Sequence, residues 1–210
     1  MDEEGEVAQP TKDTMIKNKK TWIILGVLIC IAALFYQFVI KKLSSETLET
    51  VAQKIILAIQ NKDFETLSKF IHPDKGVRFS PYAYIDIQKD LVFTPAQIKN
   101  FFQDTQKYQW GEYDGSGEPM EFIPSAYYKR FIYDQDFAKA KEIGTNKIIG
   151  QGNTINNISK VYPDASFVEY HFPGFDPKYG GMDWRSLRLV FEQKEGRWFL
   201  IGIIHAEWTI

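Results

Sequence analysis

The sequence predicts an α+β domain in which N-terminal helices cover a curved antiparallel sheet, preceded by one transmembrane helix. Three observations predict this architecture. A stretch of twenty residues near the N-terminus contains no charged side chain. In the chain that follows, apolar residues first recur at helical spacing, and aromatic and β-branched segments then dominate. Helices first and antiparallel strands last are typical of the α+β class.

The composition excludes two classes of protein. The 210 residues carry a formal net charge of −2, and 15% of them are aromatic. The charge argues against a strongly basic nucleic-acid-binding protein, and the aromatic content argues against a disordered polyelectrolyte. The single cysteine, Cys30, leaves no intrachain disulfide.

The uncharged stretch covers residues 21–40 and reads TWIILGVLICIAALFYQFVI. Twenty residues at a rise of about 1.5 Å each match the roughly 30 Å hydrocarbon core of a bilayer. Lysines flank both ends, and Trp22 and Tyr36 lie where aromatic rings favour the membrane interface. The sequence therefore predicts a transmembrane helix at 21–40, with a tail at 1–20 and a linker at 41–45.

Two alternatives to a permanent anchor remain open. Ile31-Ala32-Ala33 resembles a signal-peptide cleavage site, so the segment is alternatively removed after Ala33. A buried core helix is the other alternative, although a core helix is seldom apolar on every side. Slightly more lysines precede the span than follow it, which predicts a cytoplasmic tail and an extracytoplasmic domain at 46–210.

Four helices are predicted at the start of the domain and between its strands. Ser44 or Ser45 caps the first, whose Leu48, Val51, Ile55, Ile56 and Ile59 form one apolar face. Asp63 caps a short second helix with Phe64, Leu67, Phe70 and Ile71 turned inward. Thr94-Pro95-Ala96-Gln97 has the pattern of a capping box and starts the third. The fourth runs from Pro124 through Ile132.

The remaining segments predict strands separated by Gly, Pro, Asn and Asp. The predicted strands are 77–84, 108–113, 146–149, 166–172, 184–193 and 198–208. The last two form a hairpin whose two-residue loop is Glu195-Gly196. In that register Phe191 faces Leu200 and Leu187 faces Ile204 on one side of the sheet. The other side pairs Val190 with Ile201, Arg188 with Ile203, Ser186 with His205, and Trp184 with Glu207.

This order of elements resembles the NTF2-like superfamily, a cone of bent sheet with N-terminal helices, over residues 46–210. Three segments also resemble uncharacterised extracytoplasmic proteins of Gram-positive bacteria: HPDKGVRFSPY at 72–82, WGEYDGSGEP at 110–119 and GIIH at 202–205. The resemblance implies a fold and a location but no activity. Relatives often carry a lipoprotein signal, whereas here Ile29 precedes Cys30, so lipidation is not expected.

The candidate ligand-pocket residues are polar side chains that strand alternation turns inward. Arg188 and His205 are predicted on one sheet face, where a charge among apolar neighbours needs a partner such as Glu207 or a ligand. The full set is His72, Arg78, Tyr82, Tyr84, Arg188, His205 and Glu207. An internal ion pair, or a histidine that merely caps the end of its helix, is the structural alternative.

No motif for nucleophilic catalysis, phosphate binding or metal coordination is present. The partial calcium-loop pattern at 112–117 lacks its closing glutamate and is better explained as a hairpin turn. The glycine-rich loop at 173–181 is either a binding loop or a hydrophobic plug. We therefore predict no cofactor and no nucleic-acid partner.

The sequence favours a membrane-anchored binding domain for a small molecule or an envelope protein. The alternative is a tethered acid–base enzyme, an isomerase or hydrolase, that uses a His/carboxylate pair with tyrosines inside the cone.

Overall fold

The computed structural model describes residues 27–36 and 46–209. Residues 27–36 are helical, and the rest of the predicted 21–40 span lies outside the described residues. Within the described residues, no helix is both long enough and apolar enough to cross a bilayer. Residues 46–209 form a compact unit with its own hydrophobic core.

The first three helices of this unit form where the local signals predict them. α1 (Leu48–Gln60) begins at Thr47, whose side chain accepts the backbone N–H of Thr50. α2 (Phe64–Ser68) is capped by Asp63, and α3 (Pro95–Lys99) begins with the predicted capping box. Thr47 is therefore the first cap, and Ser44 and Ser45 lie outside the described residues.

The later helices are short. α4 (Pro124–Tyr127) continues as a π-helical turn (Tyr128–Ile132), so the predicted fourth helix exists with a wider last turn. α5 (Ile158–Val161) follows, and two 3₁₀ turns occupy Phe137–Lys139 and Pro177–Tyr179.

Residues 46–209 contain eight strands, which form two sheets. They are β1 (Val77–Ser80), β2 (Val92–Phe93), β3 (Tyr108–Glu112), β4 (Pro119–Phe122), β5 (Glu142–Thr145), β6 (Ser166–Phe172), β7 (Arg185–Lys194) and β8 (Arg197–Glu207). Six of them form one sheet in the order β2-β1-β8-β7-β6-β5, and β3 and β4 form a separate hairpin. Because β1 runs parallel to β8, the sheet is mixed, whereas a wholly antiparallel sheet was expected.

Two predicted strands are wrong in extent or place. β1 ends at Ser80 because Pro81 has no N–H to continue the ladder. Residues 146–149 are not a strand, since Asn146 has φ 52° and ends β5. Asn146 donates its backbone N–H to the Phe167 carbonyl at 2.8 Å, and its side chain accepts the backbone N–H of Phe167 at 2.8 Å.

The β7–β8 hairpin has the predicted turn, with positive φ at Glu195 and Gly196. Phe191 pairs with Leu200 as predicted, but the register then shifts by one, and Val190 pairs with Gly202. Ile201 is therefore the extra residue of a β-bulge. Every predicted pair between the bulge and the open end of the hairpin is wrong by one residue, which moves the β8 side chains to the opposite face.

Different elements pack on the two faces of the sheet. On the helix face, Leu187, Leu189 and Phe191 pack against the helices in the main core. Aromatic side chains fill this side, and Trp110 stacks on Tyr127 with ring centroids 3.8 Å apart. On the loop face, a second cluster includes Val190 and Ile204 and is covered by residues 146–165, the covering segment.

Candidate functional site

Arg188 lies in the middle of β7 on the loop face, directly opposite Glu169 of β6. The two side chains are 1% and 0% exposed. Arg188 Nε donates to Glu169 Oε2 at 2.9 Å, and Nη2 donates to Oε1 at 3.3 Å and to the carbonyl of Gly150 at 2.7 Å. The partner of Arg188 is thus Glu169, and the expected pairing with Glu207 is wrong.

Glu169 also fixes the covering segment to the sheet. Its carboxylate accepts the backbone N–H groups of Ile149 at 3.1 Å and Gly150 at 2.8 Å. A Cβ at Gly150 would come within 2.6 Å of the Trp184 ring, so only glycine lets the segment lie this close. The buried pair and the glycine together shape the space beneath the segment.

A cavity of about 430 Å³ lies there, and we call it the Arg188 cavity. Arg188, Trp184 and Asn156 line it, and each has a buried N–H group without a hydrogen-bond partner: Nη1, Nε1 and Nδ2. Ile148, Ile158 and Phe167 supply apolar lining. Buried polar groups are nearly always paired, so a cavity wall that contains three residues with partnerless donors is the candidate site for an acceptor.

On the helix face, an ion-pair cluster joins Arg130, Asp134, Arg185, His205 and Glu207. Arg185 bridges the two carboxylates, at 3.1 Å from Asp134 Oδ2 and 3.1 Å from Glu207 Oε2. Arg130 pairs with the other oxygen of Glu207. Burial raises the pKa of Asp134, but His205 and Arg185 outweigh that effect and leave it below its ordinary value.

His205 is fully buried in this cluster, with Nε2 3.3 Å from Asp134 Oδ2 and Nδ1 3.3 Å from the Pro81 carbonyl. The bulge at Ile201 places His205 opposite Leu187 on the helix face, whereas Arg188 points to the loop face. The prediction that Arg188 and His205 share a face is therefore wrong, and the two belong to separate sites.

His72 and Arg78 hold loops. His72 Nδ1 accepts the backbone N–H groups of Asp74 at 3.2 Å and Lys75 at 3.0 Å, and its ring is buried. Arg78 Nη1 donates to the carbonyls of Asp90 and Ile87 at 2.9 and 3.3 Å. Both histidine and arginine therefore have structural partners in place of a ligand.

Tyr82 and Tyr84 line a second cavity of about 660 Å³, the hairpin cavity, beside the turn between β3 and β4. Its other lining residues include Asp86, Lys89, Asp90, Glu112, Asp114 and Thr154. Lys89 pairs with Glu112, and Asp114 accepts the hydroxyl of Thr209 at 2.6 Å. The turn at 113–118 is a plain hairpin turn, as the sequence indicates.

The loop at 173–181 contributes no residue to the Arg188 cavity. Phe175 and Tyr179 are each 47% exposed, so the loop is not a hydrophobic plug. In residues 27–36 and 46–209, no group of His, Cys, Asp and Glu side chains is arranged to hold a metal ion.

Glu169, Trp184 and Asn156 are the site residues that sequence reasoning missed. The sequence does contain a signal for Glu169 as a site residue, because it is the only acidic residue in the apolar strand SFVEYHF. A lone charge at a position that alternation buries needs an opposite charge. Comparison of the chain with protein-family models and with curated proteins returned no match.

Replacing Glu169 with Gln should lower the free energy of unfolding by about 3–5 kcal/mol, because it leaves the Arg188 charge buried without a counter-ion. The matched control is Glu192→Gln, which breaks only the exposed Lys75–Glu192 pair and should cost less than about 1 kcal/mol. Urea unfolding of the full chain in detergent measures both. Equal effects of the two substitutions would contradict a structural role for the buried pair.

Asp90 should make stability depend on pH. Burial raises its pKa to about 6 from an ordinary value of 3.8, so the folded protein binds the proton more tightly than the unfolded chain. The free energy of unfolding therefore falls as pH rises from about 4 to about 7, by at most about 3 kcal/mol from this group.

The Asp90→Asn variant has no carboxyl group to deprotonate, so its free energy of unfolding should not show this fall with pH. Its stability relative to the wild type should rise between pH 4 and pH 7 and stay level above that range, as measured by urea unfolding of the full chain at each pH. A difference between the two proteins that does not vary with pH would refute the assignment to Asp90.

Proposed function

We propose that this chain is a membrane-anchored extracytoplasmic protein whose domain at 46–210 is an NTF2-like binding domain, with a small molecule seated in the Arg188 cavity. One observation carries the proposal: three residues that line the same cavity each have a buried N–H donor without a partner. Leaving a buried donor unpaired costs about 1–3 kcal/mol each, and a ligand with acceptor atoms offsets that cost.

The size and lining of the cavity support a small-molecule site. Ligand pockets usually have volumes of about 300–1,000 Å³ and combine apolar walls with a few fixed polar groups. The Arg188 cavity has a volume of about 430 Å³, apolar walls from Ile148, Ile158 and Phe167, and an arginine held in place by the buried pair. The Arg188 side chain is preorganised because Glu169 fixes it before any ligand arrives.

The fold and the anchor support the rest of the proposal. A six-stranded sheet with helices packed on one face is compatible with an NTF2-like domain. The charge-free sequence at 21–40, with lysines at both ends, supports the anchor and the outward orientation.

An acid–base enzyme is the weaker alternative. His205 does lie beside a carboxylate, that of Asp134, but its side chain is fully buried. Phe131 packs edge-on against the His205 ring at 5.7 Å, and aromatic rings fill the helix face around it. A general base must come within hydrogen-bond reach of its substrate, and this packing leaves His205 no such access.

Ligand binding is tested by mass spectrometry of small molecules released from the full chain, purified from its native membrane in mild detergent. We expect the wild type to retain a compound. Ser159 is exposed and borders the Arg188 cavity, so Ser159→Trp should fill the cavity and abolish retention. Ser116→Trp is the matched control at the hairpin cavity and should retain the compound. A wild type that retains nothing, or equal loss in both variants, would refute the proposed site.

The orientation is tested by labelling with a membrane-impermeant maleimide. The only natural cysteine, Cys30, lies inside the predicted span and serves as the background. Lys107 is exposed in the domain, and Lys107→Cys should be labelled in intact cells. Asp2→Cys should be labelled only after permeabilisation. The reverse pattern would place the domain in the cytoplasm.

A further inference from the structure

We infer that the ligand of the Arg188 cavity is a small organic carboxylate, with its anionic group at Arg188 and an apolar body against Trp184 and Phe167. This inference rests on the proposed function and specifies its ligand class. It starts from the type of partnerless group: Arg188 Nη1, Trp184 Nε1 and Asn156 Nδ2 are all donors. Among the described residues, the partnerless carboxylate oxygens belong to Asp134 and Asp183, which do not line this cavity. Glu207 does line it, but its carboxylate is paired with Arg130 and Arg185.

The geometry of Arg188 leaves one group of its guanidinium, Nη1, for a second carboxylate. The Nε–Nη2 edge is occupied by Glu169, and Nη2 also binds the Gly150 carbonyl. Nη1 is buried and has no partner. A guanidinium has five N–H donors in a planar fork and stays charged at all relevant pH values, so its unoccupied donors favour an anionic acceptor.

The charge of Glu169 does not exclude a ligand anion. Both of its oxygens already accept hydrogen bonds, from Arg188 and from the backbone N–H groups of Ile149 and Gly150. The backbone dipoles stabilise that carboxylate independently of the arginine. The indole N–H and the amide N–H of the cavity wall add two further donors for the ligand oxygens.

The apolar wall of the cavity favours a ligand whose remaining part is apolar. Trp184 and Phe167 present aromatic surface, and Ile148 and Ile158 add aliphatic surface. Inorganic anions would leave this surface in contact with water, whereas an organic carboxylate with an aromatic or branched body covers it.

Benzoate and its neutral isostere benzamide are suitable probes for the full chain in detergent. We expect benzoate to bind at least 10-fold more tightly than benzamide by calorimetry. In spectra of protein labelled with ¹⁵N-tryptophan, benzoate should shift the Trp184 indole N–H, which Trp184→Phe identifies. The Trp110 indole N–H already donates to the Phe122 carbonyl at 2.9 Å and should not move.

Asn156→Asp separates charge from shape. It keeps the side-chain oxygen that accepts the backbone N–H of Ile158 at 3.0 Å, but replaces the amide donor with a negative oxygen. We expect it to weaken benzoate at least 10-fold and leave benzamide unchanged. Trp184→Phe, which removes one donor and keeps an aromatic ring, should weaken benzoate several-fold.

The outcomes distinguish this inference from the proposed function. Equal binding of the two probes, or equal weakening of both by Asn156→Asp, would overturn the carboxylate and leave a neutral ligand in the cavity. Binding of neither probe would overturn the carboxylate inference alone if the purified wild type retains a compound, and would overturn the proposed function as well if it retains none. An Asn156→Asp variant that unfolds at a lower temperature is replaced by Trp184→Phe, for which the same comparison of probes decides.

Discussion

The buried pair of Arg188 and Glu169 is the interaction on which the loop face depends. It links the two neighbouring strands β6 and β7, and through the backbone of Ile149 and Gly150 it holds the covering segment on the sheet. A segment with little regular structure has many backbone groups to satisfy, and a carboxylate that accepts two of them fixes its path. The buried pair therefore holds the covering segment in the position that forms the cavity beneath it.

The bulge at Ile201 is the second constraint, since it decides which polar residues meet. Before the bulge, Phe191 and Leu200 follow the simple hairpin register. After it, each β8 side chain lies on the opposite face from the one that this register assigns, and His205 joins the helix face. His205 therefore belongs to the ion-pair cluster on the helix face, and Arg188 pairs with Glu169 on the loop face. Two polar sites result where the sequence indicated one.

Local signals predicted the helices, because a cap and its N–H partner lie within a few residues of each other. The box of Thr94 and Gln97 and the cap at Asp63 are of this kind. The bulge depends on contacts distant in sequence: a Cβ at Gly202 would lie 3.2 Å from Val190 and 3.4 Å from the Tyr162 hydroxyl. The Arg188 candidate was predicted from its strand position, but its partner is 19 residues away on another strand. Alternation alone gives no such pairing.

Arginine at a buried position is informative because a purely structural role has a less costly solution. A buried ion pair seldom stabilises a fold more than well-packed apolar residues of the same volume, since both charges lose their hydration. Arginine also cannot escape burial by losing its proton, as lysine or histidine can. In this domain the pair leaves Nη1 without a partner and places Arg188 on the wall of a cavity. Fold stability does not require that unpaired donor, whereas recognition of an acceptor does, and this difference supports our proposal that a ligand binds on the loop face.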